Sequence, residues 1–367
     1  AYPNITSSGS AVFGDNVIAG KGPDKLISQT LGWERNYSWE VGFDMHLLDG
    51  RMQISPVYYN KTTKDLLTSV PGLSGTVPAL QNTGEIRNRG FELAASWSDK
   101  IGENWRYGVS ANLTTIDNEV VSLISKDYSI INGVSRVSEG YPIGYFYGYK
   151  VAGVYQNETD IETSAPNQVA SVKPGDLKFA DVNGDGIIDT HDQVKLGNSI
   201  PKWMGGFNTS ASWKGLTLFA RFDYALGYKK WNSGYQYFMG ITSGSFNVPE
   251  LAKKTWTEDN PTAGLPVLMT NDTNFKKNYT RNTSLFWENA AYLCAREISL
   301  SYDLPSQWTK KAMMEKVTVT LTGQNLFYVT SNNLYTPEYD SKNNTKDDGK
   351  GGYALPKTVL MGIKVVF

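Results

Sequence analysis

The sequence predicts an all-β fold, an antiparallel transmembrane β-barrel of which about nine strands lie in this chain. Three features support the prediction. Apolar and polar residues alternate with a period of two in many segments, the connections between these segments are alternately long and short, and aromatic residues make up 13% of the 367 residues. Because a soluble β-sandwich also shows alternation, the connections are decisive: short turns at one end and long loops at the other are typical of outer-membrane barrels.

The first alternating segment covers residues 39–48, where Trp39, Val41 and Phe43 share one face and Glu40 and Asp44 the other. We expect the apolar face to contact lipid and the polar face to line a water-filled lumen. Nine strands cannot close around such a lumen, so further strands must complete the barrel. The same alternation recurs in residues 91–97, 105–113, 207–213, 216–226, 317–322 and 359–367.

The connections between these strands differ in length in strict alternation. We expect short turns at residues 49–51, 98–104, 214–215 and 305–315, and long outside loops at residues 62–84, 123–200, 232–282 and 331–356. Bulky aromatic side chains near the predicted strand ends fit the interfacial girdles of a barrel. These residues are Trp39, Trp97, Trp105, Trp213 and Tyr302.

Composition argues against several other functions. The 35 basic residues balance the 36 acidic ones, so we expect no binding of nucleic acid. The lone Cys294 is expected to be structural, and with only His46 and His191 the chain offers few bases for a catalytic triad. We therefore expect no enzyme. The N-terminus has no basic region followed by an apolar stretch, which predicts a fragment or a processed chain without a signal peptide.

Residues 181–192, "DVNGDGIIDTHD", have the spacing of a calcium-binding loop. Hard oxygen donors at alternating positions wrap a Ca²⁺ ion, and Gly186 permits the sharp turn at the sixth position. Asp192 replaces the usual Glu at the last position, which predicts weak affinity, on the order of 0.1 to 1 mM. The alternative is an Asx-rich turn without an ion. The predicted ligands are the side chains of Asp181, Asn183, Asp185, Asp189 and Asp192 and the carbonyl of Ile187.

The segment before this loop reads as a strand, so there is no pair of helices that an ion could open, and we do not expect a calcium sensor. We expect Ca²⁺ to have a structural role, stiffening the long outside loop that contains residues 124–200.

Two aromatic clusters on the predicted outside loops, residues 145–149 and 231–240, are candidates for substrate contact. Flat rings stack on the apolar faces of sugars, and tyrosine hydroxyls add hydrogen bonds. Packing within the loops or against a partner protein is the alternative. The candidate residues are Tyr145, Phe146, Tyr147, Trp231, Tyr235 and Tyr237.

Several motifs, taken in order, resemble a known family. They include "NTGEIRNRGFEL" (residues 82–93), "EGYPIGYFYGYKVAGVY" (139–155), "PGDLKFADVNGDGIIDTHDQVKLGNSIPKWMGGFN" (174–208), "YLCAREISLSYDLP" (292–305) and "TGQNLF" (322–327). Together with residues 31–67 and 359–367, they make the chain similar to the SusC-like, TonB-dependent outer-membrane transporters.

The resemblance implies that residues 1–367 are the C-terminal portion of a 22-stranded barrel in the outer membrane of a Gram-negative bacterium. It also implies an N-terminal plug, energy coupling through TonB, a SusD-like surface lipoprotein as partner and a dimer of transporter–lipoprotein pairs. Phe367 matches the terminal residue by which such barrels are recognised for assembly.

The function expected from this resemblance is active import of oligomeric nutrients, with oligosaccharides or glycan fragments as cargo. Import of oligopeptides is one alternative. A surface adhesin or binding barrel that does not transport is the other.

Overall fold

The computed structural model describes residues 5–23, 31–70, 79–240, 250–268, 278–279, 281–332, 338, 346–347 and 355–367. Most of these residues form β-strands. In chain order the strands are β1 (Ile5–Phe13), β2 (Asn16–Pro23), β3 (Arg35–Gly42), β4 (Met45–Leu47), β5 (Met52–Val70), β6 (Ala79–Ile101), β7 (Trp105–Thr115), β8 (Asp117–Ser122), β9 (Ser129–Asn132), β10 (Ser135–Ser138), β11 (Tyr145–Tyr149), β12 (Val151–Val154), β13 (Leu177–Phe179), β14 (Gln193–Gly197), β15 (Trp203–Trp213), β16 (Leu216–Leu226), β17 (Lys229–Asn232), β18 (Trp287–Asn289), β19 (Tyr292–Asp303), β20 (Lys316–Gln324), β21 (Tyr328–Thr330), β22 (Lys346–Asp347) and β23 (Thr358–Val366).

Helical structure is confined to short segments. The α-helices are Glu158–Glu162, Ser233–Gly240 and Ser306–Thr309, and the 3₁₀ turns are Thr190–Asp192, Glu250–Lys254, Ser284–Phe286 and Lys310–Ala312. In the part of the chain that the structure describes, no helix has the length and apolar character needed to cross a membrane.

The largest sheet, here called the wall sheet, has nine principal strands in the antiparallel order β23-β20-β19-β16-β15-β7-β6-β5-β3. Three short strands extend it: β4 pairs with β5, β8 pairs with β6, and β21 pairs with β19. The nine principal strands agree with the number predicted from the alternation. Among the described residues β3 and β23 are the two edges of the wall sheet, so the barrel is not closed within this chain.

The predicted strand at residues 39–48 is interrupted in the structure. It forms β3 and β4, which pair with β5 on either side of residues 55–56. Pro56 lacks the N–H group that the ladder would need from it, and only Phe43 N remains bonded to Pro56 O, at 3.2 Å. The prediction of one continuous strand is therefore wrong at this point.

The hairpin of β5 and β6 is much longer than predicted. The two strands contain 19 and 23 residues, whereas β7, β15 and β16 contain 11 each. A membrane-spanning strand needs only about 9–11 residues, so β5 and β6 must continue beyond the bilayer. Most of the loop predicted at residues 62–84 is thus strand, and the predicted short turn at 98–104 shrinks to the residues between Ile101 and Trp105.

Cross-strand ion pairs line the extension of this hairpin. They join Lys64 to Glu85, Arg87 to Glu119, Arg89 to Asp117 and Arg35 to Asp65. Charged side chains in this number favour a region outside the hydrocarbon core of the membrane.

The opposite end of the wall sheet carries the short turns. At this end Trp105 lies opposite Trp213 in the register, and their rings stack with centroids 5.8 Å apart. Leu216 of β16 likewise lies opposite Tyr302 of β19. The row of aromatic residues next to the turns matches the girdle expected from the sequence.

A compact group of elements, here called the loop body, follows the other ends of the strands. It consists of the described residues in 123–200 and in 250–289. A four-stranded sheet (β14-β11-β10-β9) and the β12–β13 pair form its framework. Its largest core cluster contains Tyr149, Val154, Leu177, Phe179 and Ile188.

The two segments of the loop body are bonded to each other. The amide of Asn278 accepts a hydrogen bond from Leu177 N at 2.9 Å and donates one to Asp176 at 2.8 Å. Tyr149 N donates to Asn282 O at 3.1 Å. The two segments therefore fold as one unit at the long-loop end of the wall sheet.

Candidate functional site

The predicted calcium loop, residues 181–192, lies between β13 and β14 in the loop body. The Asp181 carboxylate accepts hydrogen bonds from Gly184 N at 2.7 Å and Gly186 N at 2.9 Å. Both glycines have positive φ, 77° and 82°, which lets the backbone turn its N–H groups towards this carboxylate. The first position of the predicted site thus organises the turn around itself.

Asp192 closes the loop from the other end. Its side chain is 0% exposed and accepts hydrogen bonds from Val182 N at 2.8 Å and Asp189 N at 2.9 Å. A buried carboxylate needs such partners, because an unpaired charge away from water is costly. Asp192 therefore ties the start of the loop to its end.

At the middle positions, each side-chain oxygen accepts a hydrogen bond from the backbone two residues further on. Asn183 Oδ1 accepts from Asp185 N, and Asp185 Oδ1 accepts from Ile187 N, both at 2.9 Å. Asp189 instead pairs with the exposed His191, whose hydrogen bond lowers the pKa of the carboxyl while the carboxyl raises the pKa of the imidazole.

The donor set of this loop, carboxylate and amide oxygens, is the chemistry that Ca²⁺ prefers. Among the described residues, however, no three or more His, Cys, Asp or Glu side chains come together as a metal-binding group. The loop thus resembles a Ca²⁺ site in the type of its donor atoms and in its turn geometry, and binding of the metal remains a prediction. The strand predicted before the loop is β13, and only a 3₁₀ turn follows, Thr190–Asp192.

Two aromatic residues of β11, Tyr145 and Phe146, were predicted to contact substrate but are buried in the structure. Phe146 is 0% exposed and stacks on Trp287 with ring centroids 3.7 Å apart. Tyr145 is 2% exposed and stacks on Tyr141 at 4.6 Å. Buried rings cannot contact a substrate in this conformation, so the structure corrects both assignments to packing within the loop body.

The other aromatic candidates are distributed differently. Tyr147 is half-buried, and the Arg136 guanidinium lies over its ring, 4.3 Å from the centroid. Trp231 is half-buried in β17, tilted against Trp287 at 5.3 Å. Tyr235 and Tyr237 lie in the helix Ser233–Gly240, and their side chains fall outside the described residues. Substrate contact by these four residues stays a prediction.

A cavity of about 500 Å³ opens beside Tyr147, between β10, β11 and the second segment of the loop body. Two arginines, Arg136 and Arg281, contribute to its lining together with the amides of Gln168, Gln193 and Asn282. Sequence reasoning missed both arginines, because each stands alone in an ordinary polar stretch and they come from distant segments. Gln193 also follows directly on the predicted calcium loop, so that loop borders the cavity.

A second polar cluster lies in the wall sheet, at a β-bulge in β19. The register between β16 and β19 shifts at this point, and Arg296 occupies the extra position. Its Nε donates to Asp223 Oδ2 at 2.7 Å, and Nη1 contacts Glu338 Oε1 at 2.9 Å. These charges lie on the polar face predicted to line the lumen.

The remaining singled-out residues are structural or exposed. Cys294 is a free, buried cysteine of β19. His46 contacts the Gln53 amide, its cross-strand neighbour, at 3.0 Å. Phe367 follows β23 and is 88% exposed, so its predicted role in barrel assembly remains a prediction.

Comparison with known proteins relates this architecture to outer-membrane receptors. TonB-dependent receptor P3 of Formosa agariphila is 27% identical over 98% of this chain and 37% of its own length. TonB-dependent receptor SusC of Bacteroides thetaiotaomicron is 23% identical over 97% of this chain and 34% of its own length. The chain thus spans about a third of the length of these relatives.

Among solved structures, the RagAB peptide transporter superimposes with a TM-score of 0.76 at 23% identity, over 99% of this chain and 38% of the transporter chain. This likeness supports the fold described above. The sequence also matches the family described as "TonB dependent receptor-like, beta-barrel" over residues 3–355. Because that match covers nearly the whole chain, the protein belongs to the TonB-dependent receptor-like β-barrel family.

Proposed function

We propose that the full-length protein imports oligomeric nutrients, with oligosaccharides as cargo, across the outer membrane. It would act with a SusD-like surface lipoprotein and draw energy through TonB. Proteins of this family lie in the outer membrane of Gram-negative bacteria and are not enzymes, in agreement with the expectation from the sequence. Similarity to a protein named SusC supports the pairing with a lipoprotein.

The observation that carries the proposal is the asymmetry of the molecule. The wall sheet has short turns at one end, whereas at the other end it carries a loop body with its own apolar core. Flexible loops alone would lose entropy on each capture event, but a prefolded body presents fixed side chains to a cargo or partner. Such a body suits capture at the cell surface followed by passage through a lumen.

Import of oligopeptides is the second candidate, since one of the solved structures with this fold is described as a peptide transporter. A surface adhesin or binding barrel is the third. The two importer hypotheses differ in cargo, while the adhesin hypothesis predicts binding without energy-dependent uptake.

The test is to tag the full-length protein in its native host, extract it in mild detergent, and identify the copurifying proteins and oligomers by mass spectrometry. We expect a stoichiometric surface lipoprotein, a particle with the mass of two transporter–lipoprotein pairs, and bound glycan fragments. Peptides in place of glycans would favour the second candidate. A barrel without a lipoprotein, or uptake that persists after deletion of TonB, would contradict the importer proposal.

We also propose that residues 181–192 bind a structural Ca²⁺ ion that stiffens the loop body. The oxygen-rich turn that Asp181, Asn183 and Asp185 form with the loop backbone supports this proposal. Bound Ca²⁺ would neutralise carboxylates that otherwise repel one another.

Hydrogen exchange of the full-length protein, with Ca²⁺ or with a chelator, tests the calcium proposal. We expect Ca²⁺ to slow exchange of the loop with a half-maximal effect on the order of 0.1 to 1 mM. The double variant Asp185→Asn, Asp189→Asn should lose this response, whereas Asp127→Asn, which changes an exposed carboxylate elsewhere in the loop body, should keep it. Exchange that is the same with and without Ca²⁺ would refute the site.

A further inference from the structure

The cavity beside Tyr147 combines positive charge, neutral hydrogen-bonding groups and an aromatic ring. Its volume of about 500 Å³ lies within the range of small-molecule sites, roughly 300–1,000 Å³. It sits in the loop body, outside the wall sheet. The side chains that line it include Arg136, Tyr147, Gln168, Gln193, Arg281 and Asn282.

The positive charge in this cavity has no counterion among the described residues. Neither Arg136 nor Arg281 forms an ion pair with a described carboxylate, although each is half-buried. The Nε atoms of both side chains are buried without a hydrogen-bond partner in the described part of the chain. Since partly buried charges are usually paired, the two guanidinium groups leave a place for an anionic group.

Each guanidinium is nevertheless held in position. Arg136 lies over the Tyr147 ring, 4.3 Å from the centroid, and Arg281 Nη2 donates to Val169 O at 3.3 Å. Burial lowers the pKa of Arg281. An arginine guanidinium nevertheless stays protonated in proteins. A planar guanidinium offers two parallel N–H groups, the arrangement that matches a carboxylate.

The neutral groups suit hydroxyls. Gln168, Gln193 and Thr190 bring amides and a hydroxyl to the cavity wall, and these groups both donate and accept hydrogen bonds. Asn282 uses its Nδ2 on the carbonyls of Val134 and Tyr147, which fixes its orientation. A ligand with one carboxylate and several hydroxyls would satisfy both sets of groups, whereas a bare inorganic anion would use only the arginines.

We propose that this cavity binds a uronic acid unit of an acidic oligosaccharide, with the carboxylate at Arg136 and Arg281 and the hydroxyls at the surrounding amides. This inference rests on the proposed function and narrows its cargo to glycans that carry carboxylates. Tyr147, predicted from the sequence as a substrate contact, would line the same site.

Calorimetric titration of the full-length protein in detergent tests the proposal, with trigalacturonate as the probe and its carboxyl-reduced, neutral counterpart as the matched ligand. We expect binding of trigalacturonate and at least tenfold weaker binding of the neutral trisaccharide. The variants Arg136→Gln and Arg281→Gln should each weaken binding of trigalacturonate by about ten- to a hundredfold, the effect of losing a hydrogen bond to a charged group. Lys126→Gln removes an exposed charge from the loop body outside the cavity and should leave the affinity unchanged.

Two controls keep the result interpretable. The melting temperature of each variant reports whether it is folded, and Arg281→Lys, which retains the charge, should recover part of the affinity. Equal affinity for the charged and neutral trisaccharides, or unchanged affinity in both Gln variants, would overturn the proposal. So would equally effective competition by sulfate or by trialanine, because the site would then recognise any anion or a peptide carboxylate.

Failure of this inference and failure of the proposed function are distinguishable. Binding is measured on the purified protein without TonB or a lipoprotein. TonB-dependent uptake of neutral oligosaccharides together with no binding of trigalacturonate would reject the uronate site and leave the importer intact. Binding of trigalacturonate without TonB-dependent uptake of any oligosaccharide would support the uronate site and reject the importer.

Discussion

The wall sheet and the loop body both contain stacked aromatic pairs, but the wall sheet exposes them and the loop body buries them. In the wall sheet, Phe207 and Phe222 stack across two strands with centroids 4.8 Å apart, and Phe207 is 37% exposed on the apolar face. In the loop body, Phe146 and Trp287 stack at 3.7 Å and are both buried. The wall presents its rings outwards because lipid takes the place of a core, whereas the loop body stands in water and must cover its rings with its own chain.

This difference predicts that the two phenylalanines respond differently to truncation. Phe146→Ala should destabilise the loop body by about 3–5 kcal/mol, the usual cost of removing a buried phenylalanine. Phe207→Ala should cost less than about 1 kcal/mol, because it removes one cross-strand aromatic pair on a face already in an apolar medium.

Hydrogen exchange of the full-length protein in detergent measures both effects. Loss of protection in residues 123–200 is expected for Phe146→Ala, with the wall strands unchanged. If Phe207→Ala loosened the loop body as strongly, or if Phe146→Ala left it protected, the distinction between the two regions would be wrong.

The wall sheet is instead sensitive to added bulk at certain glycines. Tyr224 crosses Gly205, its partner in the register, and donates to Asn112 O on the next strand at 3.1 Å. A Cβ on Gly205 would lie 2.1 Å from Asn112 O and 2.6 Å from the Tyr224 hydroxyl. Gly205→Ala should therefore destabilise the wall sheet by about 1–3 kcal/mol, as overpacking does elsewhere.

The melting temperature of the detergent-solubilised barrel checks this prediction, with Gly108→Ala as the matched control. Gly108 lies in β7 of the same sheet, but the nearest atom to its added Cβ is the mobile Ser210 hydroxyl oxygen at 3.3 Å. We expect a lower melting temperature for Gly205→Ala only. Equal melting temperatures for the two variants would show that the Asn112 carbonyl and the Tyr224 ring both shift at little cost.

The sequence anticipates the wall sheet far better than the loop body. Alternation locates residues 216–226, which are the whole of β16, because the sheet separates lipid from water along every strand. It fails for the parts of β5 and β6 that continue beyond the bilayer, where no lipid imposes an apolar face and the polar residues 62–65 were predicted to begin a loop.

The loop body depends on contacts that no local pattern reports. Leu177 bonds to Asn278, 101 residues away in the sequence. β11 is buried at Tyr145, Phe146, Gly148 and Tyr149, so it shows no period-two exposure. The spacing of the predicted calcium loop is visible from the sequence because its predicted ligands lie within twelve consecutive residues. The two arginines of the cavity come from separate segments and are recognisable only after folding.

The smallest predicted effect concerns an ion pair in the loop body. Lys178 Nζ donates to Asp160 Oδ1 at 2.7 Å, and Gln156 N donates to the same carboxylate at 3.1 Å. These bonds, chiefly that from Lys178, lower the pKa of Asp160 below its ordinary value of 3.8. Both side chains are partly exposed, so the pair should stabilise the loop body by less than about 1 kcal/mol.

The direction of the pH dependence follows from the sign of this shift. Since the folded-state pKa is depressed, the contribution is fully present above about pH 4 and is lost as the pH falls through the lower folded-state value. Asp160→Asn should therefore make the loop body slightly less stable at neutral pH and remove this part of its acid sensitivity. The exposed ion pair of Arg35 and Asp65, on the β5 extension, serves as the control. Asp65→Asn should leave hydrogen exchange of the loop body unchanged at every pH. If the stability of Asp160→Asn fell with acid as steeply as that of the unaltered protein, the acid response would come from other carboxylates. Those of the predicted calcium loop, residues 181–192, would be the first to test.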